Sequence, residues 1–151
     1  MKLVEVTTEI GAPAETVWQV LVDFEKHPSW NPFIKSISGL PIAGQRLRVH
    51  IAPPGGRGMT FKPRVLAAKQ PRELRWLGRF LFPGLFDGEH AFVITPTSEA
   101  SCRLTQSEKF SGLLVAMSRG TLDATRDGFA QMNDALKGRA ELLATADHGT
   151  G

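Results

Sequence analysis

The sequence predicts an α+β domain: a curved antiparallel sheet wrapped around one long C-terminal helix, with two short helices near the N-terminus. Three observations predict it. Near the start, Val4, Val6, Thr8 and Ile10 alternate with Glu5, Thr7 and Glu9, the period-2 signature of a half-buried strand. Through the middle, further alternating segments follow one another with turn-length breaks between them. Toward the end, Leu122, Phe129, Met132 and Leu136 recur at spacings of seven, three and four, an amphipathic stripe of helical period. A sheet with one apolar and one polar face must have the apolar face covered, and the long helix is the element able to cover it.

Taken in order, the first strand spans 3–10 and is stopped by Gly11 and Pro13. Glu15 to Val22 then reads as a short helix with Val17, Val20 and Leu21 inward and Trp18 beside them. Pro28 and Pro32 prevent one regular helix from crossing 23–32, so a helical turn at Phe24 to His27 and a corner at Trp30, Asn31 and Pro32 are expected. Strands follow at Phe33 to Ser38 and at Arg46 to Ile51, the latter with Leu47, Val49 and Ile51 inward. The Pro53 to Gly58 stretch is a turn signal that lacks the lysine and hydroxyl residue of a phosphate-binding loop. Thr60 to Ala68 reads as one strand, with Pro63 marking an edge, a bulge or an interruption. Glu73 to Phe80 reads as another, and Gly78 within it marks a bend or leaves open space above the sheet. Gly88 to Pro96 and Ser101 to Ser111 complete the strands. The final helix has Thr121 placed to cap it, Asp123 in its first turn and Gly128 inside it, where glycine costs about 1 kcal/mol relative to alanine.

The length of 151 residues fits one domain, taken as 1–143, with 144–151 losing the helical pattern and expected to be a disordered tail. Eighteen basic against fifteen acidic residues leave a formal charge of +3, too small and too dispersed to imply a nucleic-acid partner. Cys102 is the single cysteine, which rules out an intrachain disulfide or a cysteine-based zinc cluster, and its inward strand phase makes it a small hydrophobe. No paired-histidine or cysteine motif suggests a metal, and no cofactor is expected. The N-terminus alternates at once instead of forming a secretory signal, and no stretch reaches the roughly 20 apolar residues of a membrane span. A cytoplasmic location is the resulting expectation.

The informative feature lies on the inner faces of the central strands. His90 shares its phase with Phe92 and Ile94, while Gln106 and Glu108 share theirs with Leu104 and Phe110. Trp76 and Phe80 supply large aromatics on the preceding strand. A sealed hydrocarbon interior penalises such polar groups unless each finds a partner. Either His90 and Glu108 satisfy each other, or strand register places one of them at the rim in water, or they orient a ligand hydroxyl or carbonyl, or they move a proton, since imidazole titrates near neutral pH. Phe82, Leu85 and Phe86, around Pro83 and Gly84, form an apolar loop suited to cover a cavity mouth or to meet another protein, including a second copy of the chain. His27 and His50 are weaker candidates, one in the proline-bounded corner and one on an outward phase.

Ile10, Ala12, Pro13, Val17 and Trp18, the Trp30, Asn31, Pro32 corner, the Gly88 to Phe92 strand, and Glu108, Phe110 and Gly112 together form a recognisable pattern. The terminal Phe129, Met132, Asn133, Ala135, Leu136, Lys137 pattern completes it. Over about residues 3 to 142 the chain resembles the START-like superfamily and, within it, the polyketide cyclase/dehydrase and lipid-transport group also called SRPBCC. The resemblance implies the helix-grip fold of the birch pollen allergen and a hydrophobic cavity between sheet and helix. It implies no universal catalytic motif, because members bind lipids, hormones or polyketides while others cyclise aromatic polyketides.

Three functions follow as expectations. The first is binding of a small, mostly hydrophobic molecule, lipid-like or aromatic, contacting Trp76, Phe80, Phe92, Phe129 and Met132 and oriented by His90, Gln106 or Glu108. The second is a cyclase, dehydratase or isomerase acting on a hydrophobic carbonyl substrate, with His90 as base and Glu108 as its orienter or acid. The third is a protein-interaction module using the 82–86 loop.

Overall fold

The N-terminal alternation becomes β1 (Lys2–Ile10), whose inward Val4 and Ile10 are buried while Glu5 and Glu9 stand in solvent. In the computed structural model, residues 1–55, 57–80, 86–112 and 119–149 are described. Beyond Pro13, α1 (Ala14–Val22) buries Val17, Trp18, Val20 and Leu21, and a 3-10 turn (Phe24–Lys26) leads directly into α2 (His27–Trp30). Pro28 fits inside this short helix because the first turn needs no backbone N–H from it. The helical turn expected to end at His27 therefore runs on to Trp30.

Among the described residues, seven strands follow: β2 (Ile34–Ser38), β3 (Arg48–Ile51), β4 (Met59–Phe61), β5 (Arg64–Lys69), β6 (Glu73–Phe80), β7 (Phe86–Ser98) and β8 (Ser101–Ser111). They form a five-stranded sheet in the order β1-β8-β7-β6-β5 and a three-stranded sheet in the order β2-β3-β4. The neighbouring pairs with assigned register are antiparallel. The single strand expected over 60–68 is two strands in different sheets. Pro63 separates them, having no N–H for a ladder, and its carbonyl instead accepts from Leu47 N at 2.9 Å. The strand expected to start at Arg46 starts at Arg48, although Arg46 still bridges to Arg64 and so links the two sheets.

The chain ends in α3 (Arg119–Gly149), which packs chiefly on β1 and α1, with lighter contact to β8 and α2. Its stripe of Phe129, Met132, Leu136 and Ala140 is fully buried. Phe33, just before β2, meets Phe129 edge-on with ring centroids 5.5 Å apart. The helix includes Arg119, so Thr121 is an internal residue and not its cap. Nor does the helix stop at 143. It continues to Gly149, with Ala144 buried. Gly128 approaches Phe33 so closely that a β-carbon there would lie 2.5 Å from the ring, which explains a glycine inside the helix. Cys102 is buried as a small hydrophobe, and burial, with Glu9 nearby, pushes its thiol up to about 11.

Candidate functional site

The register of β6, β7, β8 and β1 aligns the inward residues in rows across the sheet. One row runs Val65, Trp76, His90, Glu108, Val4, and the next runs Leu74, Phe92, Gln106, Val6. On the other side of the first row, Gly78 stands opposite Gly88, and Gly88 opposite Phe110. Two facing glycines place no side chain on the inner face beside Trp76 and His90.

His90 sits within an aromatic cluster. Trp76 stacks on it at 5.1 Å, Phe92 lies tilted at 4.7 Å and Phe129 approaches at 5.0 Å. Both ring nitrogens are engaged: Nδ1 is 2.7 Å from Glu108 Oε2 and Nε2 is 2.9 Å from Gln106 Oε1. The chain of contacts continues, since Gln106 Nε2 donates to Asn133 Oδ1 at 2.8 Å and lies 3.5 Å from the Phe129 carbonyl. Asn133 Nδ2 in turn donates to the Val6 carbonyl and to Thr8 Oγ1, each at 3.2 Å. Every buried polar side chain in this group thus has a partner, as a low-dielectric interior requires.

Of the roles expected for the pair, the structure displays mutual hydrogen bonding, and both ring nitrogens of His90 are engaged. Glu108 is the more open member of the pair, with its side chain 15% exposed against 5% for His90. Its single hydrogen bond uses Oε2, leaving Oε1 without a partner among the described residues.

Of the other expected residues, Trp76, Phe92, Gln106, Phe129 and Met132 are all buried, and the first four stand in the cluster around His90. Phe80 and Phe86 pair with each other at the ends of β6 and β7, but their side chains lie outside the described residues, as do Phe82 and Leu85 entirely. The expected cavity mouth therefore falls outside them too. His50 bonds Thr60 Oγ1 across β3 and β4 at 2.8 Å, in the three-stranded sheet. His27 is a structural residue. Its Nε2–H donates to the Leu21 carbonyl at 2.7 Å and its Nδ1 accepts from Asn31 Nδ2 at 3.1 Å, while burial holds its pKa below the usual 6.5. Asn31 Oδ1 then accepts from the backbone N–H of Phe33 and of Ile34, fixing the corner into β2.

Asn133 was not among the expected site residues. A signal for it existed: it occupies the fourth position after Phe129, so it interrupts an otherwise apolar stripe with an amide. A separate cleft of about 380 Å³, lined by residues including Val20, Lys26, Trp30, Arg139 and Leu143, lies between α1, α2 and α3 and shares no residue with the His90 cluster.

Comparison with known proteins places this geometry in context. Residues 1–141 match the family model described as polyketide cyclase / dehydrase and lipid transport. A START superfamily protein from Mycobacterium smegmatis superposes with a TM-score of 0.74 at 24% identity, over 93% of this chain and 98% of that one. The Zhui aromatase/cyclase from Streptomyces sp. R1128 gives a TM-score of 0.73 at 18% identity, over 93% of each chain. A norcoclaurine synthase from Thalictrum gives 0.65 at 17% identity, over 92% of this chain and 93% of that one. No curated protein sequence matches at a significant level. At these identities the likeness shows a shared helix-grip fold. Among the described residues, no helix is long and apolar enough to cross a membrane.

Proposed function

Because this chain belongs to the polyketide cyclase/dehydrase and lipid-transport family, we propose that it binds a small, mostly hydrophobic molecule between the five-stranded sheet and α3. The observation that carries this reading is the placement of the His90, Gln106 and Glu108 network inside an aromatic cluster, next to the side-chain-free pair Gly78 and Gly88. Trp76, Phe92, Phe129 and Met132 supply apolar surface, and a few placed polar groups in an apolar site are what orient a ligand. Native mass spectrometry of protein purified from its own cells tests the reading by revealing a retained small molecule. A lipid and aromatic panel with no compound raising the melting temperature refutes it, because a ligand that binds only the folded state must stabilise it.

A second reading, cyclisation, dehydration or isomerisation of a hydrophobic carbonyl substrate, is favoured by one contact: the 2.7 Å approach of His90 Nδ1 to Glu108 Oε2, a pair of groups able to share a proton. In this reading Glu108 exchanges the proton with substrate and His90 orients it. Turnover that survives Glu108→Gln unchanged rejects the assignment.

A further inference from the structure

The direction of every hydrogen bond in the network follows from its far end. The Val6 carbonyl can only accept, so the atom of Asn133 that faces it at 3.2 Å is the amide nitrogen. Asn133 Oδ1 is then an acceptor, and the Gln106 atom facing it at 2.8 Å is a donor nitrogen, which also lies toward the acceptor-only Phe129 carbonyl. Gln106 therefore presents its oxygen to His90, and His90 Nε2 must carry a proton. With Nε2 committed, the 2.7 Å contact between His90 Nδ1 and Glu108 Oε2 holds one further proton, located on the nitrogen or on the oxygen.

The consequence for Glu108 is the same in both locations. With the proton on Nδ1, Glu108 is a carboxylate and Oε1 accepts. With the proton on Oε2, Oε1 is a carbonyl oxygen and again accepts. We infer that the site presents Glu108 Oε1 as a pure hydrogen-bond acceptor, so that its ligand is an apolar molecule donating a hydroxyl or N–H, with Gln106 and Asn133 acting as positioning residues that set this polarity from the β1 backbone. This rests on the binding reading above and narrows it. A ligand offering only acceptors, such as an ether, an ester or an ionised fatty acid, meets an unfavourable oxygen-to-oxygen contact.

Two measurements test it on the intact chain. The first is the ¹⁵N spectrum of the histidine side chains at neutral pH, in the wild type and in Glu108→Gln. The expected result is a protonated Nε2 on His90 in both proteins, and in Glu108→Gln an unprotonated Nδ1. An Nδ1–H tautomer with bare Nε2 overturns the inference. Asn133→Leu frees Gln106 to turn over, so His90 in that variant is expected to populate the other tautomer, a change that a merely structural asparagine would not produce.

The second compares two probes of nearly equal shape, 2-naphthol and 2-methoxynaphthalene, by fluorescence titration at neutral pH. The hydroxyl compound is expected to bind about threefold or more tightly, the range for a hydrogen bond whose acceptor is neutral or charged. Equal affinities refute the donor requirement and leave the binding reading intact. Failure of both probes together with the wider panel refutes the binding reading and with it this inference.

Discussion

Replacing Gln106 with leucine tests the network at its centre. The side chain is fully buried, and the change keeps approximate volume while removing both the acceptor for His90 Nε2–H and the donor for Asn133 Oδ1. Each buried group left without a partner costs about 1–3 kcal/mol, and partial relaxation of Asn133, which keeps its bonds to Val6 and Thr8, brings the expected loss to about 2–4 kcal/mol. For a chain of this length that corresponds to a fall in melting temperature of roughly 5–15 °C. Urea unfolding at neutral pH measures it directly, with an unchanged slope showing that the loss is one of stability and not of cooperativity. A double-mutant cycle with Asn133→Leu should return a coupling of about 0.5–3 kcal/mol, since the two amides share a bond. A loss below about 0.5 kcal/mol for Gln106→Leu, or additive effects in the cycle, refutes the idea that the network is satisfied internally as described.

Other perturbations give equally definite outcomes. Gly128→Ala gains about 1 kcal/mol of helix propensity but drives a β-carbon to 2.5 Å from Phe33, whose ring is backed by Phe129, so overpacking of about 1–3 kcal/mol should win; a higher melting temperature would contradict this. His27 is held neutral by burial, so the unfolded chain takes up a proton near pH 6.5 that the folded chain resists. Its contribution is full above pH 6.5 and is lost as pH falls from there to its lowered folded value, at up to about 1.4 kcal/mol per pH unit. Stability measured between pH 7 and 5 should therefore fall less steeply in His27→Gln, and identical slopes would dismiss the assignment. Cys102, buried and with its thiol raised to about 11, should react with a thiol reagent only on unfolding, so rapid labelling of native protein would show that β8 opens locally.

Much of this molecule was legible as local pattern. Strand phase is a property of adjacent residues, so the shared face of His90 with Phe92, and of Gln106 and Glu108 with Phe110, could be read directly. The helical period of Phe129, Met132 and Leu136 likewise announced α3. At Pro63 the sequence leaves three alternatives open, because losing one N–H is compatible with an edge strand, a bulge or an interruption, and only the tertiary structure shows the chain changing sheet there. The helix ends were misplaced, since Ala144 carries too little hydrophobicity to reveal that its face stays docked.

Roles within the site belonged to a different level. Period and composition place an imidazole and a carboxylate on one surface without saying which keeps a free atom. That outcome depends on the β7 and β8 register that sets His90 against Glu108, and on the seating of α3 that brings Asn133 to a carbonyl of β1. Facing sides follow from neighbours along the chain. Hydrogen-bond direction is inherited from a fixed backbone oxygen more than a hundred residues away, and it exists only once the helix lies on the sheet.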